Sequence, residues 1–178
     1  MRTLLKPYRY LILILLIVFF LRLPTLFEPN RYADEDIYLT LGMAVRRGLV
    51  LYRDIHDNKP PLLYLVAALA QTVAGFRFIL LIWNLVNVVL VWKIAQILFK
   101  KFAPVFVATF LFAVFSSIPL TEGNIANGEI FMIMPTCAAL LLLLKPNPNF
   151  VFVGLLLSLA VLFIRPVFFE FFSLRFCL

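Results

Sequence analysis

What most limits the fold open to this chain is the length of its uncharged stretches. After the basic start Met1-Arg-Thr-Leu-Leu-Lys-Pro-Tyr-Arg-Tyr10, the sequence turns apolar at Leu11 and stays so to Leu26 and Phe27, with Arg22 the one charge inside. A run of about twenty such residues matches the hydrocarbon thickness of a bilayer. Further apolar segments follow at 61–74, 78–99, 104–120, 130–144 and 150–164. The chain is 64% hydrophobic and 14% charged, with a mean hydropathy of +1.04, against roughly 45–50% apolar and about 25% charged in an ordinary soluble domain. A water-soluble sphere of this length cannot hide that much apolar surface, whereas a helix in lipid displays it outward. The expected fold is therefore all-α, a polytopic membrane helical bundle.

The net charge of +7 is read as a topology signal and not as a nucleic-acid footprint, because the basic residues flank apolar runs. No small-x-small cleavage pattern follows the first run, so it is expected to stay as a signal anchor. Lys6 and Arg9 put the N-terminus in the cytoplasm, and Lys100, Lys101 and Lys145 should lie on the same side. Those assignments agree only if 61–74 does not cross: its 14 residues reach about 21 Å as a helix, against a ~30 Å core. It is expected to lie as a short juxtamembrane helix at the outer leaflet, leaving crossings at about 8–27, 78–99, 104–120, 130–144 and 150–164. The loop 28–60 and a second loop, 121–129, then open on one outer face of a cell membrane, the bacterial plasma membrane being preferred. Lys93 stands out as an ionisable residue inside a crossing. Cys137 and Cys177 have neither metal-ligand nor disulfide spacing, and His56 is the single histidine.

The acidic residues are clustered. Glu28, Asp34, Glu35, Asp36, Asp54 and Asp57 share the first loop, Glu122 and Glu129 the second, and Glu170 stands near the end. Within the first loop Ile37, Leu41 and Val45 recur at helical spacing and Gly48 marks a stop, predicting a short helix. Three carboxylates at its start are also what capping by the positive dipole end favours. Pro60-Pro61 and Lys59 likewise suit an ordinary helix start at the headgroups, Glu129 suits a helix-start carboxylate, and Arg165 suits a snorkelling arginine.

Taken together, Phe20-Leu-Arg22-Leu-Pro24, Asp34-Glu35-x-x-Tyr38, Gly42, Gly48-x-x-x-Tyr52 and Asp57-Asn58-Lys59-Pro60-Pro61-Leu62 resemble the N-terminal part of the polytopic glycosyltransferases related to protein O-mannosyltransferases and aminoarabinose transferases, with glycosyltransferase fold C (family 39/83-like). The resemblance runs from about Phe20 to about Arg165. It implies transfer of a sugar from a polyprenyl-phosphate donor to a hydroxyl of a protein, lipid or glycan acceptor on the extracytoplasmic face. Asp34 matches the family's first-loop acid, with Glu35 as its neighbour. Asn127-Gly128-Glu129 resembles the second acidic motif, with Glu129 as its acid and Glu122 and Asn127 as lesser candidates. A carboxylate within reach of an acceptor hydroxyl can take its proton, and cations must meet the charge growing on the phosphate leaving group. That role falls to Lys59 and, by resemblance, Arg165; Asp57, Asn58 and Tyr38 complete the substrate and lipid-phosphate set. No metal and no cofactor are expected.

Members of the family usually have several hundred residues and about a dozen crossings, so the chain is expected to be an incomplete fold C, a truncated copy or one piece of a split enzyme. A full-length homologue or second half is then a possible partner. From other function classes, a non-catalytic scaffold or transporter-like subunit with acidic binding loops, or a regulatory fragment pairing with a full-length homologue, fits the same composition.

Overall fold

The computed structural model describes residues 6–29 and 32–164, so the expectations for Arg165 and Glu170 lie outside the described residues. Among the described residues there are seven α-helices, two short 3-10 helices and no strand. The helices are α1 (Lys6–Arg22), α2 (Ala33–Arg46), α3 (Pro61–Ala70), α4 (Val73–Leu98), α5 (Phe102–Phe115), α6 (Gly128–Leu143) and α7 (Phe150–Val161). By length and composition, two stretches among the described residues can cross a membrane: Tyr8–Leu26, which is α1 with its 3-10 extension, and α4. The helices α3, α5, α6 and α7 are apolar but shorter.

The boundaries follow local chemistry. At 10 residues, α3 is about 15 Å long, shorter than the 61–74 expected. Gln71 closes it in the left-handed region at φ 64°, and Thr72 opens α4 by accepting a hydrogen bond from the Gly75 amide at 3.0 Å. An N-cap of this kind satisfies an orphan amide, and it starts α4 at Val73 rather than near Phe78. With 26 residues, α4 is about 39 Å long; α1, α3, α5 and α6 pack against it, and α7 packs on α6.

Two ends result. At one, Tyr10, Trp92 and Phe102 meet, with ring centroids 4.9 Å (Tyr10–Phe102) and 6.3 Å (Trp92–Phe102) apart, beside the exposed Arg9, Lys100 and Lys101. At the other end the two acidic loops come together: the Ala126 amide reaches Glu35, and the Tyr32 hydroxyl reaches Glu122 at 3.3 Å. The bundle is apolar outside and encloses a few polar side chains within an apolar core. Arg22, Glu35, Arg77, Asn84 and Asn87 are buried, while Ile12, Leu16, Phe20, Ile82, Val107, Leu111 and Leu155 face out.

Tight backbone approach fixes how α2 lies on α3. A Cβ added to Gly42 would fall 2.6 Å from the Ala68 nitrogen and 2.8 Å from the Ala67 carbonyl carbon, so only glycine allows this contact. The buried face of α2 is Glu35, Tyr38 and Gly42, with Leu41 packed beside them and Ile37 44% exposed.

An aromatic stack ties α4 to α6 and to the end of α7: Phe76 on Phe131 at 5.7 Å and Phe131 on Phe163 at 5.5 Å, both nearly parallel. Pro135 inside α6 has no amide hydrogen, which orphans the carbonyl four residues earlier. That carbonyl is Phe131's, and the Trp83 indole Nε1 of α4 donates to it at 2.9 Å. Trp83→Phe is therefore expected to destabilise the fold by about 1–3 kcal/mol through an unmet buried acceptor. The loss should shrink when Pro135→Ala restores the backbone donor, a comparison that thermal unfolding of the unaltered chain, the two single variants and the double variant in detergent reads directly.

Candidate functional site

The loop end is built around one buried ion pair. Glu35 and Arg77 meet at 2.6 Å, with side chains 0% and 3% exposed. The Arg77 guanidinium also donates to the carbonyls of Thr25 (2.8 Å) and Glu28 (3.0 Å), and Glu35 accepts from the Ala126 amide at 2.8 Å. Four segments are thereby joined: the turn after α1, the start of α2, the first part of α4 and the second loop. Buried charges survive only when paired and hydrogen-bonded in this way. The bulk of Arg22 is turned inward too, its Nη2 donating to the carbonyls of Ser116 (2.5 Å) and Gly123, so the second loop is held from α1 as well.

Successive residues of a helix point about 100° apart, and that separates Asp34 from its neighbour. Glu35 turns into the bundle. Asp34 stays half-buried on the other side, where the Tyr38 hydroxyl one turn on donates to its Oδ2 at 3.2 Å. The role expected of Glu35, positioning acceptor or sugar, does not fit this placement, because its oxygens are engaged by Arg77 and Ala126.

The second half of the first loop closes on itself. Tyr52, at φ 67°, donates its hydroxyl to the Lys59 carbonyl at 2.6 Å. Asp57 accepts from the Tyr64 hydroxyl of α3 at 2.7 Å and from the Asn58 amide at 2.7 Å. The Tyr38 and Tyr64 rings lie 6.1 Å apart, so Asp34-Tyr38 and Asp57-Tyr64 form two carboxylate-phenol couples side by side. Lys59 is half-buried next to them and Asn58 is exposed; no ion pair engages the Lys59 ammonium among the described residues. Glu129 stands exposed in the first turn of α6, near enough for its charge to act on the Tyr38 phenol. One residue before it, Gly128 sits against the Phe163 carbonyl and Ile164, bringing the end of α7 to the same place.

The structure thus brings together Asp34, Tyr38, Asp57, Asn58, Lys59 and Glu129. It draws Glu35 away, while Arg165 lies outside the described residues. Sequence reasoning missed Arg77 and Tyr64. Arg77 carried a usable signal, since a lone cation within the first turns of a long apolar helix requires a partner of opposite sign. Tyr64 carried little, a tyrosine in an apolar helix being ordinary.

Burial, and then the Asp34 carboxylate, push the Tyr38 phenol well above its ordinary range; burial and Asp57 do the same for Tyr64. Both couples therefore keep the proton on the phenol, which donates. Comparison with protein-family models, curated proteins and solved structures finds no match for this chain.

Two outcomes follow. Arg77→Met leaves a buried carboxylate without its cation and should cost about 3–5 kcal/mol of stability, most of it recovered in Glu35→Leu/Arg77→Met; thermal unfolding of the single and double variants checks this. The raised phenols make the unfolded chain release protons first as pH climbs past about 10. Stability should hold below that pH and fall above it. Thermal scans from about pH 9 to about pH 11 should show a shallower fall for Tyr38→Phe.

Proposed function

We propose that this chain is a multi-pass membrane protein resembling the N-terminal part of a fold C glycosyltransferase, and that its loop end transfers a sugar from a polyprenyl-phosphate donor to a hydroxyl acceptor on the extracytoplasmic face. The apolar exterior, with Arg22, Glu35, Arg77, Asn84 and Asn87 turned inward, supports a lipid setting, since helices in lipid turn their polar groups inward. The basic Arg9, Lys100, Lys101 and Lys145 lie away from the acidic loops, which supports a cytoplasmic N-terminus and an outer site.

The observation that carries the reading is the contrast between two adjacent acids. Glu35 is locked in the interior, whereas Asp34 remains half-buried at a helix N-terminus with one oxygen held by a protonated phenol. That leaves Oδ1 oriented by its partner to accept the proton of an incoming hydroxyl. In the proposed step the acceptor oxygen bonds to the anomeric carbon as the bond from that carbon to the donor phosphate oxygen breaks. Asp34 takes the acceptor's proton, and the leaving phosphate carries its charge to Lys59, with Arg165 as a second cation. Asp57, held by Tyr64 and the Asn58 amide, fixes the loop that presents Lys59, and Glu129 faces the sugar or acceptor from the α6 side. Glu35 serves as a positioning residue through Arg77.

The test is transfer in liposomes loaded with polyprenyl-phosphate hexose and offered peptide and glycan acceptors. Asp34→Asn should lower the rate by about 10²-fold or more, with its unfolding temperature near that of the unaltered chain. Equal transfer by the two proteins, or none by the unaltered chain, sinks the catalytic reading and leaves a scaffold or regulatory fragment.

A further inference from the structure

Most of the buried side-chain polar atoms left without partners among the described residues belong to three side chains, Arg22, Asn84 and Asn87, with Trp92 Nε1 and Asn124 Oδ1 the others. Arg22 is 1% exposed. Its Nη2 reaches the Ser116 and Gly123 carbonyls, its Nε has no partner, and no ion pair engages it among the described residues. Asn84 of α4 is fully buried and donates to the hydroxyls of the same Ser116 (3.1 Å) and of Ser117 (3.3 Å), which leaves its Oδ1 unmet. Asn87, one turn further along α4 and on the same side, is also fully buried, and neither end of its amide is met.

We propose that an internal hydration site lies here, between α1, α4 and the end of α5, and that its water solvates the otherwise uncompensated Arg22 guanidinium. The chemistry selects the occupant. Arg22 Nε can only donate and Asn84 Oδ1 can only accept, while Asn87 offers both functions. An anion would meet the lone pairs of Asn84 and a cation would meet Arg22, so the occupant is neutral and both donates and accepts. Water is the smallest molecule that does both, and it needs two to four polar partners to be held in a buried site. The water relieves groups that would otherwise be buried without partners, and it gives Arg22 a shell that the two carbonyls alone do not complete. The site stands on this geometry alone and holds whichever activity the loop end has.

The experiment uses the full chain in lipid bilayers, labelled with 15N at asparagine, and follows magnetisation from water protons to the side-chain amides. Asn84 and Asn87 should receive it at the short mixing times that serve the exposed Asn58, despite their complete burial. Amides that stay dark while Asn58 responds overturn the proposal. Thermal unfolding of Asn87→Leu is a second reading of opposite sign for the two cases. With water present the variant strips it of partners and the unfolding temperature falls by several degrees; in a dry site the near-isosteric leucine removes an unmet amide and the temperature rises.

Discussion

Everything at the loop end depends on the pairing of Glu35 with Arg77. Neither charge tolerates burial alone, so α2 cannot leave α4 without exposing or stranding both. Because the same two side chains also hold the Thr25 and Glu28 carbonyls and the Ala126 amide, the pair sets where the first loop begins and where the second ends. A surface pair of equal geometry would fix little, since solvent competes for its charges. Arg53 and Asp54, a pair at 2.9 Å in the exposed part of the first loop, make the contrast within this molecule.

The pair also explains how neighbouring acids acquire different chemistry. A helix turns about 100° per residue, so once Glu35 is drawn inward, Asp34 must face elsewhere. Tyr38, one turn on, then meets it. From there the Tyr38 and Tyr64 rings extend the arrangement to Asp57 and the loop before α3, whose position against α2 is set by the Gly42 backbone contact. A buried electrostatic constraint is passed on to an accessible pair of carboxylates by helix geometry and ring packing.

The apolar segments were legible because hydropathy over a window of fifteen or more residues is a strong signal, and the helices at α1 and at 102–161 fall close to where it put them. The start of α4 was not, because Thr72 and Gly75, not hydropathy, decide it. The short helix of the first loop was legible in its existence and its stop near Gly48; the face it buries, with Tyr38 and Gly42 in and Ile37 out, is set by packing on α3. At the site, Asp34, Asp57 and Lys59 stood out as residue types at a suggestive spacing. Which of Asp34 and Glu35 is accessible depends on a partner 42 residues away in sequence, and no local pattern contains that. Arg77, a lone cation in the first turns of a long apolar helix, signals that an acid must face it, but the spacing does not say which one.

Pro135 has a consequence for the order in which the molecule can be assembled. A helix normally completes its own hydrogen bonding as it forms, and α6 cannot, because one of its carbonyls looks to the indole of Trp83. The missing donor lies on α4, which is made earlier along the chain. Thus the acceptor emerges to find its partner already present, whereas the reverse order would leave α6 carrying an unmet polar group for as long as α4 took to arrive. A rearranged chain placing the 128–143 segment ahead of the 73–98 segment would contain every helix described here and yet pass through a flawed intermediate on the way to the same contacts.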